Sequence, residues 1–156
     1  MRLLVTSDSH GRKGNFFDVA EMHINDTDLF INLGDCSSGA DLEDTKIYFR
    51  NKLRLNCVAG NCDFSSTEPY VKVINFAGKK VMFCHGHTLY VKHGIERLVQ
   101  EAKNNGADIA LFGHTHTPFY QIIDGIHVFN PGALQDGCYG MIDVTDSGIM
   151  CIHAKI

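Results

Sequence analysis

The chain has 156 residues, 44% of them hydrophobic and 21% charged, and a formal charge of −4. That length suits one domain, residues 1–156, able to bury roughly two thirds of its unfolded surface without disulfides or a structural metal. The modest, scattered charge excludes an extended surface for a nucleic-acid backbone, so any attraction for phosphate must be local to a site.

No apolar run approaches the roughly eighteen residues of a membrane span, and the opening Leu3, Leu4, Val5 is too short for a signal peptide. A soluble, cytoplasmic protein without membrane association is expected. The six cysteines (Cys36, Cys57, Cys62, Cys84, Cys138, Cys151) lie in a chain with a full-sized core and no secretion signal, so free thiols are expected. Nothing in the sequence reads out self-association, and a homo-oligomer is left open.

In chain order, residues 2–6 read as a buried strand, 14–24 as a helix with Phe16, Phe17, Ala20 and Ile24 near one face, and 28–33 as a second strand. A polar loop with Ser37, Ser38 and Gly39 leads to a helix near 40–51 and a strand over 53–59 that ends in Gly60. After Pro69, strands at 70–76 and 79–84 joined by Ala77 and Gly78 form an antiparallel hairpin. A helix over 93–105 and a strand over 108–112 follow, then short strands at 119–123, 126–129, 138–144 and 148–155, with turns at Asp124-Gly125 and Asp146-Ser147-Gly148. The first half is thus α/β and the last third mostly β, which two sheets packed face to face with helices outside accommodate.

Five short strings each follow an apolar run: Asp8-Ser9-His10, Gly34-Asp35, Gly60-Asn61, His85-Gly86-His87 and Gly113-His114-Thr115-His116. Singly they are weak, since with nine histidines an H-x-H triplet arises by chance about half a time. Together they supply carboxylates, imidazoles and an amide at strand ends, where ligands collect in α/β sheets. Two dications about 3.5–4 Å apart repel each other, so an anionic oxygen must bridge them. Asp35, in the middle of the series, is the expected bridge. Asp8 and His10 would serve one ion, Asn61 offers a carbonyl oxygen without charge, and His85, His114 and His116 bind through neutral nitrogen. Two dications and two aspartates leave a charge of about +2 to attract an anionic phosphate. The donor mixture suits manganese, iron, zinc, nickel or cobalt better than magnesium or calcium, and manganese is the expected occupant.

The ordered series D-x-H, G-D, G-N, H-G-H, G-H-T-H, with Asn130-Pro131-Gly132 beyond it, resembles the calcineurin-like metallophosphoesterase superfamily. The small size, the Gly60-Asn61-Cys62-Asp63 form of the third string and the Asn-Pro-Gly string are most similar to compact prokaryotic phosphodiesterases of the YfcE type. The resemblance implies a four-layer αββα sandwich of two mixed β-sheets flanked by helices. It also implies that Asp8, His10, Asp35 and His116 hold one metal and Asp35, Asn61, His85 and His114 the other. The expected reaction is attack on a small phosphate ester, a diester foremost, by a hydroxide bridging two divalent ions, with Asn61 and His87 steadying charge on the phosphoryl oxygens.

Two departures stand out. Many relatives place a histidine after the asparagine, where this chain has Cys62, a poorer proton donor, and Ala133 stands where serine often follows Asn-Pro-Gly. Cys62 is either a contact to substrate or a packed, inert thiol, and His87 either touches substrate phosphate or bonds a neighbouring loop. Two other functions remain open, a phosphomonoesterase and a catalytically silent binding scaffold such as the retromer subunit of this architecture, though a scaffold has no need of every metal-binding side chain.

Overall fold

The computed structural model describes residues 1–12, 15–36 and 40–156. Its elements are β1 (Arg2–Thr6), α1 (Asn15–His23), β2 (Leu29–Asn32), α2 (Ala40–Phe49), β3 (Leu55–Cys57), β4 (Val71–Phe76), β5 (Lys79–Cys84), α3 (Glu96–Asn104), β6 (Ile109–Leu111), β7 (Phe119–Ile123), β8 (Ile126–Asn130), β9 (Cys138–Thr145) and β10 (Gly148–Lys155). The loop expected at Ser37, Ser38 and Gly39 lies outside the described residues, as does the first residue of the helix expected from 14.

The strands form two five-stranded sheets, ordered β10-β9-β1-β2-β3 and β4-β5-β6-β8-β7. Both are mixed: β1, β2 and β3 run parallel, β9 runs antiparallel to β1 and β10 antiparallel to β9, while β5, β6 and β8 run parallel with β4 and β7 antiparallel. Successive side chains of a strand point to opposite faces. Leu3 and Val5 of β1 therefore enter the core between the sheets with Ile31, Phe83, Leu111 and Phe129, whereas Leu4 joins Phe16, Val19 and Ala20 of α1. On the second sheet Met82, Ala110 and Val128 face Leu98, Val99 and Ala102 of α3. Apolar surface is buried on both faces of each sheet, and the result is the four-layer αββα sandwich. Among the described residues no helix is long and apolar enough to cross a membrane, and the six cysteines are free.

The differences from the expected elements have local causes. The strand expected over 53–59 pairs only at Leu55–Cys57, because Ala59 turns its N–H to the Pro69 carbonyl, 3.0 Å away. The helix expected from 93 starts at Glu96, since Tyr90 (φ 57°) and Gly94 (φ 144°) break the backbone before it. Short 3-10 turns at His87–Leu89 and Leu134–Asp136 have no strong periodicity to announce them.

Candidate metal centre

The parallel strands of both sheets deliver their carboxyl ends to one edge of the sandwich, and the loops that follow them interlock there. Asp8 donates its N–H to the Gly34 carbonyl and His10 to the Asp35 carbonyl, each at 3.0 Å, which ties the loop after β1 to the loop after β2. Gly113 donates to the His85 carbonyl at 3.0 Å, and the His114 N–H reaches Asp8 Oδ2 at 3.0 Å, joining the second sheet to the first. The loops approach so closely that a Cβ on Gly60 would overlap Asp35 and one on Gly113 would overlap Ser7. This crowding is the physical reason why glycine precedes Asn61 and His114.

Nine non-glycine residues among those described have positive φ, and five are candidate ligands: Asp8 (57°), His10 (46°), Asp35 (57°), His114 (67°) and His116 (61°). A left-handed backbone costs roughly 1–2 kcal/mol for an ordinary residue, somewhat less for aspartate. Strain gathered at one edge of a fold is the pattern of a functional site.

The side chains converge in two groups. Asp8, His10 and His116 bring ligand atoms within 4.8 Å of one another, as do Asp35, His85 and His114, and His10 with Asp35 and Cys62 makes a third set that links them. Two donors each about 2.1 Å from a shared cation, at tetrahedral to octahedral angles, stand roughly 3.0–3.4 Å apart. Four separations fall in that range: His10 Nε2 to His116 Nε2 is 3.1 Å, His116 Nε2 to Asp8 Oδ1 is 3.2 Å, His85 Nε2 to His114 Nδ1 is 3.2 Å, and His85 Nε2 to Asp35 Oδ2 is 3.4 Å, while His10 Nε2 to Asp8 Oδ1 is wider, at 3.7 Å. Asp8 Oδ1 is buried and has no hydrogen-bond partner among the described residues, whereas Oδ2 takes the Ser7 hydroxyl at 2.6 Å and the His114 N–H. A buried acceptor left unpaired costs about 1–3 kcal/mol. A cation removes that cost, so the donors present fit divalent metal.

Protonation is arranged for the same purpose. His85 Nδ1 lies 2.8 Å from the Leu33 carbonyl; a carbonyl only accepts, so Nδ1 carries a proton and Nε2 faces the site. Burial lowers the His85 pKa, but Asp35 and Asp8 raise it overall, so in the metal-free site Nε2 attracts a proton that a cation would displace. Burial pushes the Asp35 carboxyl up, but hydrogen bonds from His85 and from the Cys62 N–H hold it well below the usual carboxylate range. Burial and the neighbouring His85 push His114 down to about 4, and the same two causes lower His87. Asp35 is thus an anion, and His114 a neutral donor near pH 7.

Comparison with known proteins agrees with this geometry. The model of the calcineurin-like phosphoesterase superfamily domain matches residues 1–147. The chain belongs to that superfamily. A probable metallophosphoesterase of Mycoplasma pneumoniae is 31% identical over 137 residues, 86% of this chain and 79% of that protein. A predicted phosphoesterase of Streptococcus pneumoniae TIGR4 superposes with a TM-score of 0.86 at 24% identity, covering 99% of this chain and 88% of that one. A novel archaeal phosphodiesterase superposes with a TM-score of 0.75 at 20% identity, over 99% of this chain and 100% of that one.

Six of the expected ligands in this phosphoesterase fold therefore meet: Asp8, His10, Asp35, His85, His114 and His116. Asn61 is exposed, and its amide nitrogen lies 3.3 Å from Cys62 Sγ. The Cys62 thiol, raised by burial and by Asp35, sits in the linking set beside His10 and Asp35. The His87 ring stands 5.4 Å from that of His85, with a buried, unpartnered Nδ1 among the described residues. Three of the other four histidines serve elsewhere: His23 bonds Tyr139, His127 bonds Tyr120 and His153 bonds the Asn130 carbonyl.

Sequence reasoning gave no role to Asp63. Its carboxylate accepts the N–H groups of Asp35 (2.7 Å), Cys36 (2.8 Å) and Gly60 (2.8 Å). The signal available was its place two residues beyond Asn61, in a loop whose backbone donors have no strand to pair with.

Proposed function

We propose that this chain is a phosphodiesterase dependent on two divalent metal ions, one held by Asp8, His10, Asp35 and His116 and the other by Asp35, Asn61, His85 and His114. The observation that carries the reading is the orphaned, buried Asp8 Oδ1 among ring nitrogens at the spacing of a shared cation. When bound, the ions would supply Lewis-acid stabilisation of a phosphoryl group and a water acidic enough to attack near neutral pH.

The chain's own residues do the rest. Two aspartates against two dications leave a charge of about +2, so a phosphate ester is drawn in without any basic surface. The Leu33 carbonyl bond fixes His85 with Nε2 toward the site, where a cation would displace the proton that Asp35 and Asp8 favour, and burial keeps His114 a neutral donor. His87, its pKa lowered by burial and by His85, would offer its ring to a phosphoryl oxygen beside the centre, and the Asn61 amide on the loop after β3 would serve the same oxygens. Cys62 is a weaker proton donor than imidazole, so the leaving group departs as an acidic alcohol or takes its proton from water. Manganese is the expected ion, with iron, zinc, nickel and cobalt as substitutes, and the substrate is a small phosphodiester.

The test is elemental analysis of the purified protein followed by turnover of bis(4-nitrophenyl) phosphate and 4-nitrophenyl phosphate with added manganese. Two ions per chain and faster diester cleavage are expected. Faster monoester cleavage would make the protein a phosphomonoesterase, and a fully metallated protein inert on both esters would favour a binding scaffold.

A further inference from the structure

We propose that Asp63 is a positioning residue for the bridging carboxylate: its side chain clamps the loop after β2 to the loop after β3 and so sets where Asp35 and Asn61 meet the second metal. The inference rests on the two-metal reading above.

At Gly34 (φ 94°) and Asp35 (φ 57°) the chain is left-handed, which turns the successive N–H groups of Asp35 and Cys36 the same way. Consecutive N–H groups in such a turn form a concavity for an anion. Asp63 fills it, with Oδ1 taking the Cys36 N–H and Oδ2 the Asp35 N–H. Oδ2 also takes the Gly60 N–H, on the residue just before Asn61. The clamp is reciprocal, since Asp35 Oδ1 accepts the Cys62 N–H at 2.8 Å.

One carboxylate thus fixes the backbone on which the expected bridge stands, while the bridge fixes the loop that supplies the amide ligand. Asp63 belongs to none of the sets that bring ligand atoms together, and its oxygens are directed at three backbone donors. The clamp has a task that strand pairing does not perform, because β3 contributes only three register pairs to β2, ending at Asn32 and Cys57. Beyond them the backbones of both loops leave the sheet, and Asp35 Oδ2 must still stand close to both ligand groups, 3.4 Å from His85 Nε2 and 3.9 Å from His10 Nε2.

Substitution should therefore disturb the pairing of the two ions before it disturbs the fold. Asp63→Asn keeps the shape but turns an NH2 group toward at least one N–H donor. Asp63→Glu keeps the charge and moves it by one methylene. The measurement is manganese titration by calorimetry, with electron paramagnetic resonance of the loaded protein and thermal melts of the metal-free protein. Wild type is expected to show the multiline signal of an exchange-coupled manganese pair. In both variants this signal gives way to that of isolated ions, and the weaker site loses about tenfold or more in affinity, while the tighter site and the metal-free melting temperature change little. Variants with wild-type coupling and both affinities intact would overturn the proposal. So would variants that lose both sites equally along with the metal-free fold, and Asp63→Glu decides in the same way should Asp63→Asn fail to fold. Absence of a coupled pair in wild type would instead sink the two-metal reading itself.

Discussion

The two ends of the sandwich both carry dense charge, and they are built on opposite principles. At the amino end of β1 the Met1 ammonium donates to the Val144 carbonyl at 2.9 Å. The Arg2 guanidinium reaches both oxygens of Asp143, at 2.7 and 2.9 Å, and Asp26 at 2.9 Å, while Asp28 accepts the Arg2 N–H at 2.7 Å. None of these residues has a left-handed backbone. At the carboxyl end five candidate ligands do, and Asp8 Oδ1 is buried without a hydrogen-bond partner among the described residues. A cleft of about 650 Å³ opens at the satisfied end, lined by Arg2, Asp26, Asp28 and Asp143. Neither charge nor cavity size distinguishes a site here. The concentration of incompleteness does: among the described residues, five of the nine left-handed non-glycine residues gather at the carboxyl end with the unpaired Asp8 Oδ1, whereas beside Asp26 and Asp28 it is the uncharged Thr27 hydroxyl that is buried without a partner.

The hardest way to break this contrast is at its unsatisfied end. Asp35→Ala removes the carboxylate that belongs to two of the three ligand sets, and diester turnover should fall by about a thousandfold or more. Elemental analysis should then find at most one ion per chain. Full activity in this variant would mean that the converging side chains do not form the catalytic centre.

The same substitution logic gives the reverse result at the satisfied end. Arg2 and Asp143 side chains are 28% and 17% exposed, so their two-pronged bond is sheltered more than a surface pair. Arg2→Met should cost about 1–2 kcal/mol in urea unfolding while turnover per folded molecule stays unchanged. The pH dependence has a definite sign. The hydrogen bond from Arg2 is the main cause holding Asp143 below its ordinary value, so the bond's contribution is complete above the normal carboxylate range. It disappears as pH falls through the depressed folded value. The stability gap between parent and variant should be constant from about pH 5 to 8 and close only in stronger acid. A gap that persists there would assign the loss to packing of the arginine stem.

How much of this could be read in advance varies by element. The strands over 2–6, 79–84 and 148–155 have clear apolar or alternating patterns, and they form as β1, β5 and β10 with those bounds. The ligand strings were legible because a glycine before Asp35, Asn61 and His114 marks loops that touch. The Asp63 clamp was not legible, since two of the donors to its carboxylate are backbone N–H groups 27 and 28 residues away and no side-chain pattern records them. The short reach of β3 was hidden for a related reason: an apolar run shows what is buried, not where Ala59 turns its N–H to Pro69.

A finer test concerns the proton given to the leaving group. Cys62 stands in the linking set, and burial with Asp35 keeps its thiol a reluctant acid. Cys62→His should raise the rate for diesters of weakly acidic phenols by about tenfold and leave nitrophenyl diesters within about twofold. The slope of rate against leaving-group acidity therefore flattens. A uniform change across the series would show that position 62 acts on binding instead of proton transfer.

The smallest effect isolates the energetic half of the contrast. His116 is 37% exposed at its side chain and left-handed at φ 61°, so it adds little to the core. His116→Gly relieves roughly 1–2 kcal/mol of backbone strain and returns about 0.5–1 kcal/mol to the entropy of the unfolded chain. The metal-free variant should therefore be as stable as its parent or better by up to ~1 kcal/mol. Added manganese reverses the order, because binding to the native state stabilises the parent by mass action and the variant, short of a ligand, much less. Parallel urea titrations with chelator and with manganese measure both terms. A metal-free variant weaker than its parent by more than about 1 kcal/mol would show that packing holds the left-handed turn at 116; the strain at this edge would then have no connection with metal.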